Sequence, residues 1–105
     1  MVNFKNVEKT RILAARKYHF LSCHRYFSFS GHKQYEESLL LTLTNDGGAI
    51  RFDFTDAETG EVTTLDNPAS GEYAIPLEKG KTTKLLITAS KAIGAYKIVR
   101  KTVKE

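Results

Sequence analysis

The three histidines and the single cysteine of this 105-residue sequence all fall between positions 19 and 32. Imidazole and thiolate groups bind zinc readily, so this stretch is a candidate metal site. However, the paired Cys-x₂₋₄-Cys spacing of a structural zinc site is absent, and one cysteine with three histidines is an uncommon ligand set. We therefore expect no metal and no other cofactor. The four candidates are His19, Cys23, His24 and His32.

Cys23 directly precedes His24, which raises the question of a thiol nucleophile with a neighbouring base. Adjacent side chains of a strand point to opposite faces, so these two would not meet. Another histidine would have to fold back against the thiol, with an orienting group behind it. We expect Cys23 to be a buried small hydrophobic residue instead. A single cysteine also excludes an internal disulfide, which agrees with a reducing compartment.

Four carboxylates lie close together in the sequence and could supply oxygen ligands for calcium. No EF-hand spacing is present, and acidic residues around Thr59-Gly60 are also typical of a solvated hairpin tip. No phosphate-binding glycine loop, Gly-x-Ser-x-Gly elbow or His-Glu-x-x-His motif occurs. We therefore predict a plain turn here and no catalytic residues. The four carboxylates are Asp53, Asp56, Glu58 and Glu61.

From Gly31 onwards, short apolar stretches alternate with turn signals. Ile50, Phe52 and Phe54 alternate with polar residues, which predicts a strand with one inward apolar face. Pro76 lacks a backbone donor, so its strand is expected at an edge or to end there. The predicted strands are 38–44, 50–55, 61–65, 73–77, 82–88 and 95–103, with turns at 45–48, 56–60, 67–71, 78–81 and 90–94.

The first 30 residues contain no glycine, proline or aspartate. Aromatic residues at 26–29 favour a strand. Upstream, Val7, Ala14 and Tyr18 fit one helical face, whereas residues 18–21 could equally begin a strand. We predict one or two extra strands here, with a short helix near residues 7–16 as the alternative.

Regularly spaced short strands joined by turns are typical of an antiparallel sandwich or barrel. We therefore predict an all-β fold, an antiparallel β-sandwich of jelly-roll or immunoglobulin-like type. It would have about seven or eight strands, with the N-terminal extra strand or short helix attached. Residues 1–105 are expected to form this single domain, because their number fits one compact unit.

The net charge of +4 is the sum of three segments of the sequence, which are basic, acidic and basic in turn. Residues 1–35 carry 7 positive and 1 negative charges, residues 36–78 carry 1 and 10, and residues 79–105 carry 8 and 1. If the two terminal segments lie side by side, one face of the protein is basic and the hairpins between them form an acidic rim. The candidate binding residues are Arg16, Lys17, Arg25, Tyr26, Lys97, Arg100 and Lys101.

Aromatic residues are interleaved with the basic ones at 16–20 and 24–27. Basic groups neutralise phosphates and exposed rings stack on bases, so nucleic-acid binding is an alternative function. In the competing interpretation, the aromatic rings fill the core and the basic side chains coat it.

Several turn and strand motifs between residues 26 and 99 resemble one known type of domain. They are a leucine-rich strand at 39–43, Asp-x-x-Thr-Gly at 56–60, Gly71-Glu72-Tyr73, Lys79-Gly80, an apolar strand at 85–87 and Gly94-Ala95-Tyr96. Together they resemble the bacterial pre-peptidase C-terminal type of β-sandwich. The resemblance implies a non-catalytic accessory module, usually on secreted enzymes and often calcium-dependent. Here neither a secretion signal nor a peptidase accompanies it, so only the fold is carried over.

No apolar run is long enough for a membrane span or a signal peptide, so we expect a cytoplasmic protein that binds no membrane. We interpret the sequence as a non-catalytic module that binds another protein through a charge-polarised surface, as an adaptor or inhibitor does. Nucleic-acid binding through the basic terminal segments is one alternative. A sugar- or calcium-binding accessory domain from a secreted protein is the other.

Overall fold

The computed structural model describes residues 7–104, which form five antiparallel strands and no helix. The strands are β1 (Val7–Ser30), β2 (Glu36–Asp56), β3 (Val62–Asp66), β4 (Gly71–Leu77) and β5 (Thr82–Lys104). All belong to one sheet, in which β5 lies between β1 and β2. The other side of β2 pairs with β4 along its first half and with β3 along its second half. Because residues 7–104 contain no helix, none of them provides a helical membrane span.

The long strands β1, β2 and β5 are irregular near their middles. The β2–β5 ladder shifts its register between Asn45 and Ala49, and the β1–β5 ladder shifts within residues 18–23. Bulges of this kind bend a strand without ending it. Gly48 has a φ of 68°, and a Cβ there would overlap the carbonyl oxygen of Lys91. Glycine therefore allows β2 to approach β5 closely at the bend.

A contact between two aromatic rings shows that the sheet folds over at these bends. Tyr96 lies opposite Leu43 in the β2–β5 ladder, and Phe52 is nine residues further along β2. Nine residues of a straight strand would span about 30 Å. The rings of Phe52 and Tyr96 nevertheless meet edge to face, with 6.3 Å between their centroids. The two halves of the folded sheet therefore share one core.

The core is built from side chains that alternate inward in both halves of the sheet. In β2 the buried apolar residues have odd numbers at 39–43 and even numbers at 50–54. The parity changes because the bulge inserts one residue between the two stretches. β5 makes the same change between 85–89 and 92–98. The largest fully buried side chains are Phe52, Leu39, Leu41, Ile50, Leu85, Ile87 and Ile98.

The β3–β4 loop forms hydrogen bonds to both sides of the bend in β2. The Oδ1 atom of Asn67 accepts hydrogen bonds from Asn45 Nδ2 at 3.0 Å and from the Ile50 amide at 3.3 Å. Asn45 Nδ2 also donates to the Pro68 carbonyl at 2.7 Å, and the Asn45 amide donates to Ser70 Oγ at 2.8 Å. Because β3 and β4 pair with opposite halves of β2, this loop bridges the bend and stabilises its angle.

The predicted all-β antiparallel architecture is confirmed, but the predicted count of seven or eight strands is wrong. The turns expected at 45–48 and 90–94 are bends inside β2 and β5, because each strand keeps its pairing with the other on both sides of the bulge. The alternative helix near residues 7–16 is also wrong, since these residues pair with β5. Pro76 does lie in an edge strand, and the hairpin of 50–55 with 61–65 forms as predicted.

Candidate functional site

The two basic segments of the sequence lie side by side. β1 and β5 pair in antiparallel register from Val7 with Lys104 to Ser30 with Thr82. This is the adjacency that a basic face requires. The acidic middle segment supplies β2, β3 and β4 on the other side of β5.

Five of the seven predicted binding residues lie in one half of the sheet but on two different faces. Tyr96 and Ile98 are buried in β5, so residues 97 and 101 of that strand point to the outer face. Directly opposite residues of a ladder share a face. Arg16 lies opposite Tyr96 and therefore on the inner face, and the next residue, Lys17, lies on the outer face. The outer residues are Lys17, Lys97 and Lys101; the inner ones are Arg16 and Arg100.

The other two predicted residues lie in the opposite half of the sheet, beyond the bend of β1. Arg25 is exposed, and its guanidinium carbon lies 5.5 Å from the ring centroid of Phe27. Tyr26 points to the other face and is 75% exposed. The structure therefore does not gather the seven residues into one patch. The interleaved aromatic residues are also divided, because Tyr18, Phe27 and Phe29 pack on the core.

One side of β1 forms a long free strand edge. β1 is 24 residues long and pairs only with β5. Along its other side, no strand of residues 7–104 covers its backbone N–H and C=O groups. An exposed strand edge is a template on which another strand can pair.

Large apolar side chains are exposed along this same strand. Ile12 is 61% exposed, Phe20 is 62% exposed and Tyr26 is 75% exposed, and all three belong to β1. Among the described residues, the one other exposed large hydrophobic side chain is Val62 on β3. Sequence reasoning singled out Tyr26 and missed Ile12 and Phe20, because an apolar residue among charged ones gives no sign of which face it occupies.

The opposite edge of the sheet is better protected. β3 has five residues and β4 has seven, so neither offers a long template. Pro76 interrupts the donors of β4, and Glu72 and Asp66 add negative charge. Short strands, proline and charge are the devices by which proteins prevent edge-to-edge association. For this purpose β1 has its charged residues and the register shifts at residues 12–14 and 18–23.

Phe20 occupies a strained position at the bend of β1. Its φ is 54°, a conformation that an aromatic residue rarely adopts. Its ring packs against the imidazole of His19, with 4.3 Å between centroids. Strained residues of this kind often mark functional positions. The bend therefore presents an aromatic ring to solvent at the free edge.

The candidate metal and nucleophile residues do not form a site. Cys23 and His24 pair with Ala89 and Thr88, so they point to opposite faces. Cys23 is half-buried and packs against the core. His32 accepts a hydrogen bond through Nδ1 from the Gln34 amide at 3.0 Å. No three His, Cys, Asp or Glu side chains converge on a metal position within residues 7–104.

The acidic hairpin uses its carboxylates for local hydrogen bonds. Asp56 Oδ1 accepts from the amides of Glu58 at 2.8 Å and Thr59 at 3.2 Å, and these bonds hold the pKa of Asp56 below its ordinary value. Asp53 Oδ1 accepts from Arg51 Nε at 3.1 Å and from Thr64 Oγ1 at 2.7 Å. The carboxylates thus stabilise a turn and a cross-strand contact.

A buried carboxylate that the sequence did not reveal lies at the start of β2. Glu37 accepts hydrogen bonds from the His32 amide at 2.6 Å and from Thr102 Oγ1 at 2.7 Å, and its Oε1 lies 3.6 Å from Arg100 Nη1. Burial acts to raise the pKa of Glu37, but the two hydrogen bonds and the charge of Arg100 outweigh it and lower the pKa. Glu37 is therefore an ionised group inside the fold.

Comparisons with known proteins bear on the fold alone. No protein-family model and no curated protein matches the sequence. Eight chains of solved structures match it. One comes from Bacillus endospore appendages, described as forming a novel family of disulfide-linked pili; it has a TM-score of 0.55 and 10% sequence identity, covering 98% of this chain and 92% of that chain. At that identity the likeness shows a shared fold.

Proposed function

We propose that this protein is a non-catalytic module that binds another protein, and that it does so by strand addition along the free edge of β1. The observation that carries this proposal is that one strand combines a 24-residue edge, unpaired within residues 7–104, with three of the four large exposed hydrophobic side chains in that range. The finer description of the fold, a two-layer β-sandwich made by the folded sheet, belongs to the same proposal.

Strand addition combines two sources of affinity that β1 offers. Backbone hydrogen bonds to the edge hold the incoming segment, and pockets or side chains beside it select the sequence. The exposed rings of Phe20 and Tyr26 and the side chain of Ile12 supply apolar contacts. The basic residues of β1, such as Lys17 and Arg25, would favour an acidic segment by electrostatic steering.

Matched charge substitutions on the two edges test this proposal. Phe20→Lys combined with Tyr26→Lys places charges beside the free edge, whereas Val62→Lys changes an exposed hydrophobic residue, 53% accessible, on the opposite edge. A partner captured from the native lysate and identified by mass spectrometry is expected to bind the double variant at least tenfold more weakly. The Val62→Lys protein should keep its affinity. Equal loss in both variants, or no loss in the double variant, would refute the assignment of the edge.

A second copy of the chain is the second candidate partner. The structurally similar chain is described as forming disulfide-linked pili, and the free edge of β1 could pair with the same edge of another copy. Cys23 is the one cysteine in these 105 residues and can form one disulfide at a time, so thiol links between copies would end at a dimer. Light scattering after gel filtration, across a range of concentrations, separates self-association from binding of a different protein.

Nucleic-acid binding through the basic terminal segments has one supporting feature, the lysines on the outer face. Lys17, Lys97 and Lys101 share that face and could contact phosphates. Two of the aromatic residues that would stack on bases, Tyr18 and Phe27, pack on the core, which weakens this alternative, whereas Phe20 and Tyr26 are exposed. Retention of generic DNA or RNA at low salt, with steep loss as salt rises, would favour it over protein binding.

A further inference from the structure

A pocket that includes the buried Glu37 in its lining brings three cationic side chains together. It has a volume of about 460 Å³, and its walls include Lys9, Arg11, Arg100 and Thr102. The strand pairing explains this concentration of charge. Lys9 lies opposite Thr102, which lies opposite Glu37, and Arg11 lies opposite Arg100 in the next inward row. Residues far apart in sequence thus meet on the inner face near one end of the sheet.

Arg11 and Arg100 form an unfavourable pair unless an anion joins them. Directly opposite residues of an antiparallel ladder have Cβ atoms about 5 Å apart, and like charges in that position destabilise the sheet. Within residues 7–104, neither Arg11 nor Lys9 has an ion pair or a side-chain hydrogen bond. Arg100 makes one contact, its 3.6 Å ion pair with Glu37, and its buried Nε atom has no hydrogen-bond partner.

Glu37 cannot neutralise these cations on its own, because it carries one negative charge. Its Oε1 also accepts from the His32 amide and its Oε2 accepts from Thr102 Oγ1. One carboxylate therefore faces three cationic side chains, two of them guanidinium groups. A guanidinium donates pairs of parallel hydrogen bonds that match the oxygens of a phosphoryl group.

We propose that this pocket binds the phosphoryl group of a small phosphate-bearing ligand, held between Arg11 and Arg100 with Lys9 at its rim. A dianionic phosphoryl group matches two guanidinium groups and an ammonium group better than a single carboxylate does. The pocket volume leaves room for a small esterified group beside the phosphate. Its ligand is distinct from the partner proposed for the free edge of β1.

Isothermal titration calorimetry at pH 8 and constant ionic strength tests the pocket with three probes: inorganic phosphate, O-phosphoserine and acetate. Saturable binding of inorganic phosphate or phosphoserine is expected, and the tighter of the two shows whether the free or the esterified group is recognised. Acetate should bind at least tenfold more weakly. Failure of both phosphate probes to bind, or acetate binding as tightly as they do, would overturn the proposal.

Substitutions identify the site while controlling for loss of the fold. Arg11→Gln, at an exposed edge position, should weaken phosphate binding about tenfold or more, as expected when a charge-assisted hydrogen bond is lost. Lys97→Gln removes a cation from the outer face of the same half of the sheet and should change the affinity less than twofold. An equal effect of the two substitutions would mean non-specific charge attraction and would overturn the site.

Glu37→Gln should change the phosphate affinity in the opposite direction, towards tighter binding. The amide oxygen can still accept one of the hydrogen bonds that Glu37 accepts, but the negative charge that competes for Arg100 is gone. Phosphate binding should become several-fold tighter in a variant whose circular dichroism spectrum matches that of the original protein. Weaker binding in such a folded variant would contradict the placement of phosphate beside Arg100.

Discussion

The ring of Phe52 meets the ring of Tyr96 edge to face at 6.3 Å between centroids, although the two residues belong to opposite halves of the folded sheet. This contact joins the halves at the centre of the core, where Phe52 is fully buried. The stability of the fold should therefore depend strongly on this position.

Phe52→Ala should lower the free energy of unfolding by about 3–5 kcal/mol, because the substitution removes a buried ring and leaves a cavity. Urea denaturation followed by circular dichroism measures the change. Tyr26→Ala removes an aromatic ring that is 75% exposed and should stay within about 0.5 kcal/mol of the original protein. Similar losses in the two variants would mean that the halves do not share a core at Phe52.

Gly48→Ala should be more damaging than Gly60→Ala. Both glycines have positive φ values, 68° and 77°, so alanine at either position costs about 1–2 kcal/mol in backbone strain. A Cβ at Gly48 also meets the Lys91 carbonyl, whereas nothing lies within 4 Å of one at Gly60. The overlap should add about 1–3 kcal/mol to the loss at Gly48. Equal losses by denaturant titration would argue against the close approach of β2 and β5.

Tyr18→Phe and Tyr73→Phe should have different effects on stability. Burial raises the pKa of Tyr18, and its buried hydroxyl has no hydrogen-bond partner among the residues that the structure describes. Removing it should leave the free energy of unfolding unchanged or raise it by up to about 1 kcal/mol. The hydroxyl of Tyr73 donates to the Ala69 carbonyl at 2.6 Å, and its removal should cost about 1 kcal/mol. A larger loss at Tyr18 would reveal a partner for that hydroxyl.

Glu37 should make the protein sensitive to acid. Its pKa in the folded state lies below the ordinary value of 4.5, so the folded state binds its proton less readily than the unfolded chain. Its contribution to stability is complete well above pH 4.5 and declines as the pH falls below that value, towards the lowered pKa. Melting temperatures measured between pH 7 and 3 should fall less steeply for Glu37→Gln than for the original protein. Parallel curves would exclude this role.

Local patterns predicted the parts of the fold that depend on local structure. The alternation of Ile50, Phe52 and Phe54 and the turn at 56–60 are sufficient to specify a hairpin, and it forms. Gly47 and Gly48 are equally compatible with a tight turn and a bulge. Which one forms depends on whether β5 continues to pair past them, and β5 is some forty residues away.

The same dependence on distant partners limited the prediction of sites. The charge order predicted a basic face only on the condition that the two terminal segments adjoin, which they do in the β1–β5 pairing, and it did not indicate which face each side chain would take. A register shift between Ile12 and Ala14 determines which side chains of β1 point inward, and the residue types there do not indicate this shift. The contact of Glu37 with Arg100 arises only when β2 and β5 align, so the sequence indicated Arg100 as a surface cation and did not indicate Glu37 at all.

The place of β5 in the sheet also sets the order in which the protein can fold during synthesis. β1 and β2 do not pair with each other in the sheet; each pairs with a strand that begins at Thr82. While a ribosome is still translating the middle of the chain, only β2, β3 and β4 have partners available. The basic N-terminal segment, which forms β1, stays unpaired until β5 has been synthesised. Such long-range closure makes folding slow. Until it is complete, both edges of β1 are open to a chaperone or to another nascent chain.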